Sequence, residues 1–461
     1  MTSLHIIGIT VTLVAIVALS IYSGKAAKEK KGANSWIVAG AIMGTLVGGS
    51  STVGTAQLAY QYGMSAWWFT LGSGIACLIL AIFYAKPFHN SGNKTLIAFI
   101  THEYGKQNGL LASVLSSVGS FINIISQLIA ATAIIAVVFP NLSLIPALLV
   151  SAVFMVLYII FGGTKGSGIV GILKMLLLYA AMMVSGIVVL MLCGGVVGFT
   201  DTVSQINNTD NVNFYSLFAR GAGTDLGACL SLILGVITTQ SYAQAIFAAN
   251  KSKQAVKGAL LSAVLIPPIG IGGILVGLFM RSVHPGIMPK TALTLFVTEY
   301  MHPLFGGVVL GALFIAVVGT GAGLALGIAT VLKNDVLSSR TGKFSGKAME
   351  RILIVLTIFV ACLLSMGPFG DTILNFAFMS MGLRGATIFV PLCCALWCKG
   401  KIDKKYTCIS IISGPILVLV FGLRNILPFD PLFVGVLASC IIMLLGYVLS
   451  QRVKNRKTID C

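Results

Sequence analysis

The sequence predicts an all-α polytopic membrane protein with about 13 transmembrane helices. Three observations predict it. Of 461 residues, 57% are hydrophobic and only 9% charged, where a soluble domain carries about 25% charged residues. Mean hydropathy is +1.00. The apolar residues fall in unbroken runs of spanning length, about 20 residues each. Together these exclude a soluble enzyme, a nucleic-acid-binding protein and a disordered chain. A β-barrel is excluded too, because its strands alternate apolar and polar residues.

Taken in order, the expected spans are 4–22, 36–62, 65–85, 109–137, 143–162, 167–196, 223–246, 258–280, 305–332, 351–366, 371–397, 407–424 and 431–450. The first is not read as a cleaved signal, since Met1–His5 carries no Lys or Arg. Its positive flank follows it, at Lys25, Lys28, Lys30 and Lys31. Positive residues mark cytoplasmic loops, so the N-terminus is expected outside. That choice fixes every later loop. Of 30 Lys and Arg, 24 then fall inside and four outside (Arg220, Arg281, Lys290, Arg424), while Lys174 and Arg384 lie within spans. Thirteen crossings place the C-terminus in the cytoplasm. The net charge of +18 therefore reads as membrane sidedness, with no nucleic-acid partner. Most of the ten cysteines lie in apolar runs, where they act as small fillers. Cys394 and Cys398 lack partner histidines, so no zinc site is expected.

The division expected is 1–35 as an additional helix and loop, 36–397 as the core, and 398–461 as two more helices with a basic tail. The core would hold two five-helix units, 36–196 and 223–397, entering the membrane from opposite sides. Inverted repeats of this kind typify secondary transporters. This step rests on counting, because the two units share no strong self-similarity.

The 52 glycines cluster. The second span holds Gly44-Thr45-Leu46-Val47-Gly48-Gly49-Ser50-Ser51-Thr52, and the ninth holds Gly319-Thr320-Gly321-Ala322-Gly323. Small residues let helices approach closely; they also mark helices that unwind at mid-membrane and offer carbonyls to a cation. At Gly48–Thr52 the adjacent hydroxyls favour a broken helix.

These stretches resemble the sodium:solute symporter family, which includes proline, pantothenate, sialic acid and sodium/glucose carriers. The resemblance is carried by Gly48-Gly49-Ser50-Ser51-Thr52-Val53-Gly54 with Ala59-Tyr60-Gln61-Tyr62-Gly63 and Ser65-Ala66-Trp67-Trp68. It extends to Phe161-Gly162-Gly163-Thr164-Lys165-Gly166, to Phe247-Ala248-Ala249-Asn250-Lys251-Ser252-Lys253-Gln254-Ala255, and to Ala316–Thr320 with Lys333-Asn334-Asp335. It implies a five-plus-five inverted-repeat, leucine-transporter-like fold and cation-coupled symport of a small solute across the plasma membrane. Sodium is the implied coupling ion and the proton the alternative. Carried over by position, the family's sodium site implies Gly44 and Val47, then Ala316, Gly319 and Thr320. Such oxygen ligands suit a hard cation.

Two departures stand out. Gly319 and Thr320 supply one hydroxyl where the family usually has two. An Asp that the family tends to carry in the sixth helix is matched here by Gly171, with Lys174 one turn on. In some proton-coupled relatives of this broad fold, a lysine from the equivalent helix replaces the sodium ion. Lys174 is therefore a candidate substitute cation, against the plainer reading that it snorkels to the surface.

The resemblance places the solute beside the breaks, walled by the second, third, seventh and eleventh spans. Candidates are Ser50, Ser51, Thr52, Gln57, Trp67, Trp68, Thr70, Thr239, Gln240, Tyr242 and Gln244, with Ser51 and Thr52 foremost. The tryptophans also fit interfacial anchoring, and Gln240 and Gln244 fit a cap or water contact. Arg384 lies mid-way along the eleventh span, where a charge is expensive and faces a cavity or partner. Three roles are open to it: a bidentate clamp on a solute carboxylate, a mark of a helix break, or a partner for Asp371. An anionic or zwitterionic solute is favoured, with sugar still open.

An integral-membrane enzyme needs clustered acid–base or nucleophilic groups, and the five histidines are scattered. A channel needs a filter sequence or ring, which is not visible. A transporter-like sensor needs a signalling domain, and only 451–461 follow the last span.

Overall fold

The structure is a computed structural model that describes residues 2–26, 32–209, 212–337, 347–367, 373–424, 427 and 429–459. Among them there is no strand, only an isolated bridge between Ala33 and Ala249. The helices in chain order are α1 (Ser3–Ala26), α2 (Ser35–Leu46), α3 (Thr55–Tyr62), α4 (Trp68–Ile79), α5 (Ala85–Asn90), α6 (Ile97–Tyr104) and α7 (Lys106–Val138). Then come α8 (Leu144–Leu192), α9 (Val196–Thr209), α10 (Ala222–Thr238), α11 (Gln240–Phe247), α12 (Ser252–Leu265), α13 (Pro267–Val283) and α14 (Ala292–Tyr300). The last are α15 (Pro303–Val331), α16 (Lys347–Ser365), α17 (Ile373–Trp397), α18 (Lys404–Arg424) and α19 (Leu432–Ile459). Nine helices among the described residues are long and apolar enough to cross a membrane, or ten counting the bent pair α10–α11. Shorter apolar helices lie at Ser3–Ala15, Ser35–Leu46 and Leu144–Ile159. The chain is a multi-pass membrane protein.

α15 forms the middle of the bundle. It packs against α1, α7 and α8 and is buried along nearly its whole length. α16, α18 and α19 lie outside, exposing Leu356, Phe359, Ile416, Leu437 and Leu444. Such unbroken apolar surface suits lipid contact.

The sequence predicts a turn near 162–166, but the backbone there is helical and joins the fifth and sixth expected spans in α8. Side chains of 160–170 lie outside the described residues. On either side of them the chain reverses along α15: Phe154 meets Phe314, Lys174 meets Thr320, and Ser185 meets Met301. Three short helices, α6, α9 and α14, occupy stretches expected as loops. Their polar faces and short lengths give no spanning signal.

The glycines of α15 do not unwind it; the helix is continuous from Pro303 to Val331. They serve close packing instead. A Cβ on Gly321 would stand 2.7 Å from Met155, and one on Gly323 3.0 Å from Thr45. This is small-residue packing between helices.

On the α6 end, the loop after α11 docks on the start of α2. Ala33 N–H donates to Ala248 O, Asn250 N–H to Ala33 O, and Ser35 N–H to the Gln254 side chain. Asn34 caps α2 by accepting from Ile37 N–H.

On the opposite end, Arg220 donates to Ser65 and pairs with buried Asp225 at 2.6 Å. Nearby Asp430 accepts from Leu432 N–H at 2.9 Å. Burial raises the Asp430 carboxyl above its ordinary value, against the lowering effect of that N–H and of Arg220. A raised carboxyl penalises the charged form in the folded state, so this corner gains stability as pH falls through the folded pKa. Asp430→Asn keeps an acceptor and removes the ionisation. Its melting temperature is expected to exceed wild type by about 1–2 °C at neutral pH and to converge on it in acid, read by differential scanning fluorimetry.

Candidate functional site

Two helices break at mid-depth. α2 ends at Val47, whose backbone is extended (φ −90°, ψ 105°). The chain resumes through a π turn, Ser50–Gly54, into α3. α10 ends at Thr239, also extended (φ −90°, ψ 120°), and α11 leaves at a 47° bend. Both breaks strand backbone groups away from water, so each group needs a partner.

The partners at the first break come from its own hydroxyls and from α7. Ser51 Oγ accepts from Gly48 N–H (2.8 Å) and donates to Gly48 O (3.0 Å), and Thr52 Oγ1 donates to the same carbonyl (2.8 Å). Gly49 N–H donates to Gln127 Oε1 (2.9 Å), while Gln127 Nε2 donates to Ser50 Oγ (3.0 Å). A side chain at Gly48 would collide with Thr320 Oγ1 at 2.4 Å. Glycine is needed there because α15 comes that close.

The expected cation residues gather beside this break. Lys174 of α8 is 2% exposed. Its Nζ donates to Gly44 O at 2.5 Å and to Thr320 Oγ1 at 2.8 Å. Thr320 Oγ1 in turn donates to Val47 O at 3.3 Å. So the ammonium sits among Gly44, Val47 and Thr320, facing inward and not snorkelling to the surface. Ala316 and Gly319 are buried on the same helix, but the open side of Gly319 faces the Tyr158 ring. Gly171 has no room for a carboxylate: even a Cβ there would lie 2.0 Å from Gly40 O.

At the second break, Arg384 of α17 is fully buried. Its Nη1 donates to Thr239 Oγ1 (2.7 Å) and Ser120 Oγ (3.4 Å), its Nε to Ser380 O (3.1 Å), and its Nη2 to Ser380 Oγ (3.2 Å). Asp371, once a possible partner, lies outside the described residues. A narrow crevice starts at Ser120 and Thr239 and runs between α7, α15 and α17 toward Leu96, Ile97 and Val331 at the α6 end. Toward the other end, α3 and α7 both bond the start of α17. Gln57 accepts from Ile373 N–H, and Ser126 donates to Ile373 O.

Of the expected solute residues, Arg384, Thr239 and Gln240 reach the crevice directly or through a bond. Gln240 also ties α11 to the start of α6, donating to Lys94 O and accepting from Leu96 N–H. Ser51 and Thr52 turn back onto Gly48. Ser50 faces α7, and Gln57 faces the start of α17. Tyr242 is buried and Gln244 half-buried at the end of α11. Thr70, Trp67 and Trp68 stand apart: the first two bond Pro267 O, and Trp68 bonds Leu217 O. The third span, expected as a wall, contributes no residue to this crevice, whereas α7 contributes Ser116, Ser117 and Ser120. Ser113, Ser116, Ser117, Ser120, Asn123, Ser126 and Gln127 recur at helical spacing on its inner face. That stripe, inside an otherwise apolar span, was the available signal.

Two broken apolar helices, with polar groups converging on both breaks, define a membrane transporter and not an enzyme. A profile of the sodium:solute symporter family matches residues 31–401, and the chain belongs to that family. It is 25% identical over 386 residues to the human high affinity choline transporter 1, a match spanning 77% of this chain and 64% of that protein. It is 29% identical over 150 residues to an uncharacterized symporter, YwcA, of Bacillus subtilis (strain 168), covering 32% of this chain and 29% of that one. The chain thus matches less than two thirds of the length of these relatives. Among solved structures, a Na+-coupled sialic acid symporter in a substrate-bound outward-open state superposes with a TM-score of 0.77 at 16% identity, covering 98% of each chain. A nucleobase-cation-symport-1 family transporter in a closed conformation gives 0.58 at 13% identity, covering 93% and 94%. These likenesses establish the fold.

Proposed function

We propose that the chain is a secondary transporter that moves a small polar solute by alternating access, with the ammonium of Lys174 in the position that the family resemblance assigns to sodium. The observation that carries this is the pair of bonds from Lys174 Nζ to Gly44 O and Thr320 Oγ1. The residues present do not fit sodium as they stand. One hydroxyl of the family pattern is replaced by Gly319, and the space between the oxygens is filled by a cationic nitrogen. A charged ammonium in a dry bundle is costly unless dipoles face it. The carbonyl ending α2 and the α15 hydroxyl do so, tying the broken helix to α8 and α15. Loss of the proton weakens that tie and frees α2 to move, so proton coupling follows naturally. In this reading the protein crosses the plasma membrane thirteen times, N-terminus outside and C-terminus inside. The core is 36–397, with repeats 36–196 and 223–397, flanked by 1–35 and 398–461. Arg384 favours an anionic or zwitterionic solute.

A second reading follows from family membership: sodium is the coupling ion, as in the sialic acid symporter that shares the fold. Melting curves of the purified protein in sodium, potassium and choline buffers separate the two. A ligand that binds the folded state stabilises it by mass action. Equal melting temperatures in all three are expected. A saturable rise in sodium alone would reject the lysine reading.

A further inference from the structure

The surroundings of Arg384 bear on the charge of the cargo, an inference that rests on the transporter reading above. All of its bonds go to neutral groups: two hydroxyls on other helices, and the hydroxyl and carbonyl of Ser380. The ion pairs among the described residues, Arg220–Asp225, His284–Glu299 and Lys333–Glu350, do not include it. A guanidinium at zero exposure without a counter-charge among the described residues is an expensive group to keep. Its five donors in a planar fork match a carboxylate in two parallel bonds.

The crevice beginning at Ser120 and Thr239 is lined by hydroxyl, amide and aliphatic side chains, with no carboxylate and no aromatic ring. A quaternary ammonium group is recognised by the aromatic ring faces that are missing here. The lining instead offers hydroxyl donors. Ser117 Oγ, which lines the crevice, and Ser113 Oγ on the same face of α7 are buried with no hydrogen-bond partner among the described residues. The free volume is only about 10 Å³, room for little more than one water. A cargo must therefore displace the present hydroxyl contacts of Arg384, and one that also meets Ser116 or Ser117, about one helical turn from Ser120, must be short.

We propose that the cargo is a short organic monocarboxylate with a polar second end and no quaternary ammonium group. Its carboxylate takes both terminal nitrogens of Arg384, and its other end meets Ser116 and Ser117. Cationic solutes such as choline are rejected, because Arg384 faces no counter-charge among the described residues and Lys174 adds a second cationic nitrogen to the bundle.

The test is a thermal-shift titration of the purified full-length chain with potassium salts of glycolate, L-lactate and pyruvate, against choline, betaine, proline and glucose. Potassium chloride is the inorganic-anion control. At least one carboxylate is expected to raise the melting temperature saturably, with choline and betaine silent. Arg384→Gln is expected to weaken that response by about tenfold or more, and Arg384→Lys to restore part of it, since a charge remains without the fork. Should Arg384→Gln fail to fold, Ser117→Ala with Thr239→Val, which leave the guanidinium in place, are expected to weaken the same response several-fold. A shift by choline, betaine or glucose without a carboxylate shift overturns the proposal. So does a carboxylate response unchanged in Arg384→Gln, a chloride shift of equal size, or silence of every carboxylate. A carboxylate shift that requires sodium would remove the Lys174 reading and leave this one standing.

Discussion

With Lys174 in the cation's place as proposed, wild type is expected to be indifferent to sodium and Lys174→Ser to be stabilised by it. The wild-type ammonium lies against Gly44 O and Thr320 Oγ1, with Val47 O bonded to the same threonine. Removing the side chain past Cβ opens a space bounded by two carbonyl oxygens and a hydroxyl, and serine adds a second hydroxyl. That is an oxygen set for a hard cation. In sodium-free buffer the variant should melt well below wild type, because the ends of α2 and the α15 hydroxyl lose their partner while staying buried. Leaving such groups unpaired costs about 1–3 kcal/mol each. Sodium at about a hundred times its dissociation constant should return about 2.7 kcal/mol. Proton-driven uptake should be lost in both buffers, because no titrating nitrogen remains. The check is a melting curve with and without sodium for both proteins, alongside uptake driven by a pH gradient. Wild type responding to sodium as strongly as the variant would show that the lysine does not hold the cation's place.

How legible was this site? The break in α2 was readable, because Gly48-Gly49-Ser50-Ser51-Thr52 combines flexible backbone with hydroxyls that can close the broken ladder. What those hydroxyls do was not readable. Composition cannot tell a hydroxyl facing a cargo from one turned onto its own backbone, and Ser51 and Thr52 do the latter. The break at Thr239 has no glycine or proline at its centre; Thr239 Oγ1 donates to Gly235 O and receives Arg384 from another helix. Its cause is tertiary, so no local pattern announces it. Lys174 was singled out by its oddity, a charge in an apolar span. Only the structure distinguishes inward from snorkelling, because early in a span both rotamers are open. The seryl stripe on α7 was present in the sequence at helical spacing, but single serines in membrane helices commonly bond their own backbone, as Ser116 and Ser120 do. Recognising it needed the neighbours across the crevice.

Restoring the family's acid by Gly171→Asp is expected to abolish folding and not to create a sodium site. α2 and α8 touch through glycine at this point. A Cβ on Gly171 would fall 2.0 Å from Gly40 O and 2.6 Å from Gly40 C, and one on Gly44 would fall 2.8 Å from Gly171 Cα. Both neighbours are backbone, so no side-chain rotation relieves the clash. Alanine alone is an overpacking substitution of the kind that costs roughly 1–3 kcal/mol, and the two helices must separate to admit it. Lys174 lies three residues on, nearly the same face of α8, so that separation also pulls Nζ from Gly44 O. Gly171→Ala should therefore lower the melting temperature by a few degrees at most, roughly 1 °C per kcal/mol for a chain of this size, and weaken transport beyond its effect on folding. Gly171→Asp adds a buried carboxylate to the same collision and should leave little folded protein to solubilise. Size-exclusion profiles and melting curves of the two variants, with Gly286→Ala as a control at an open position, decide it. A well-folded Gly171→Asp protein with a wild-type melting temperature would mean that the helices part easily here. In that case the missing acid reflects a choice of coupling ion rather than a limit set by packing.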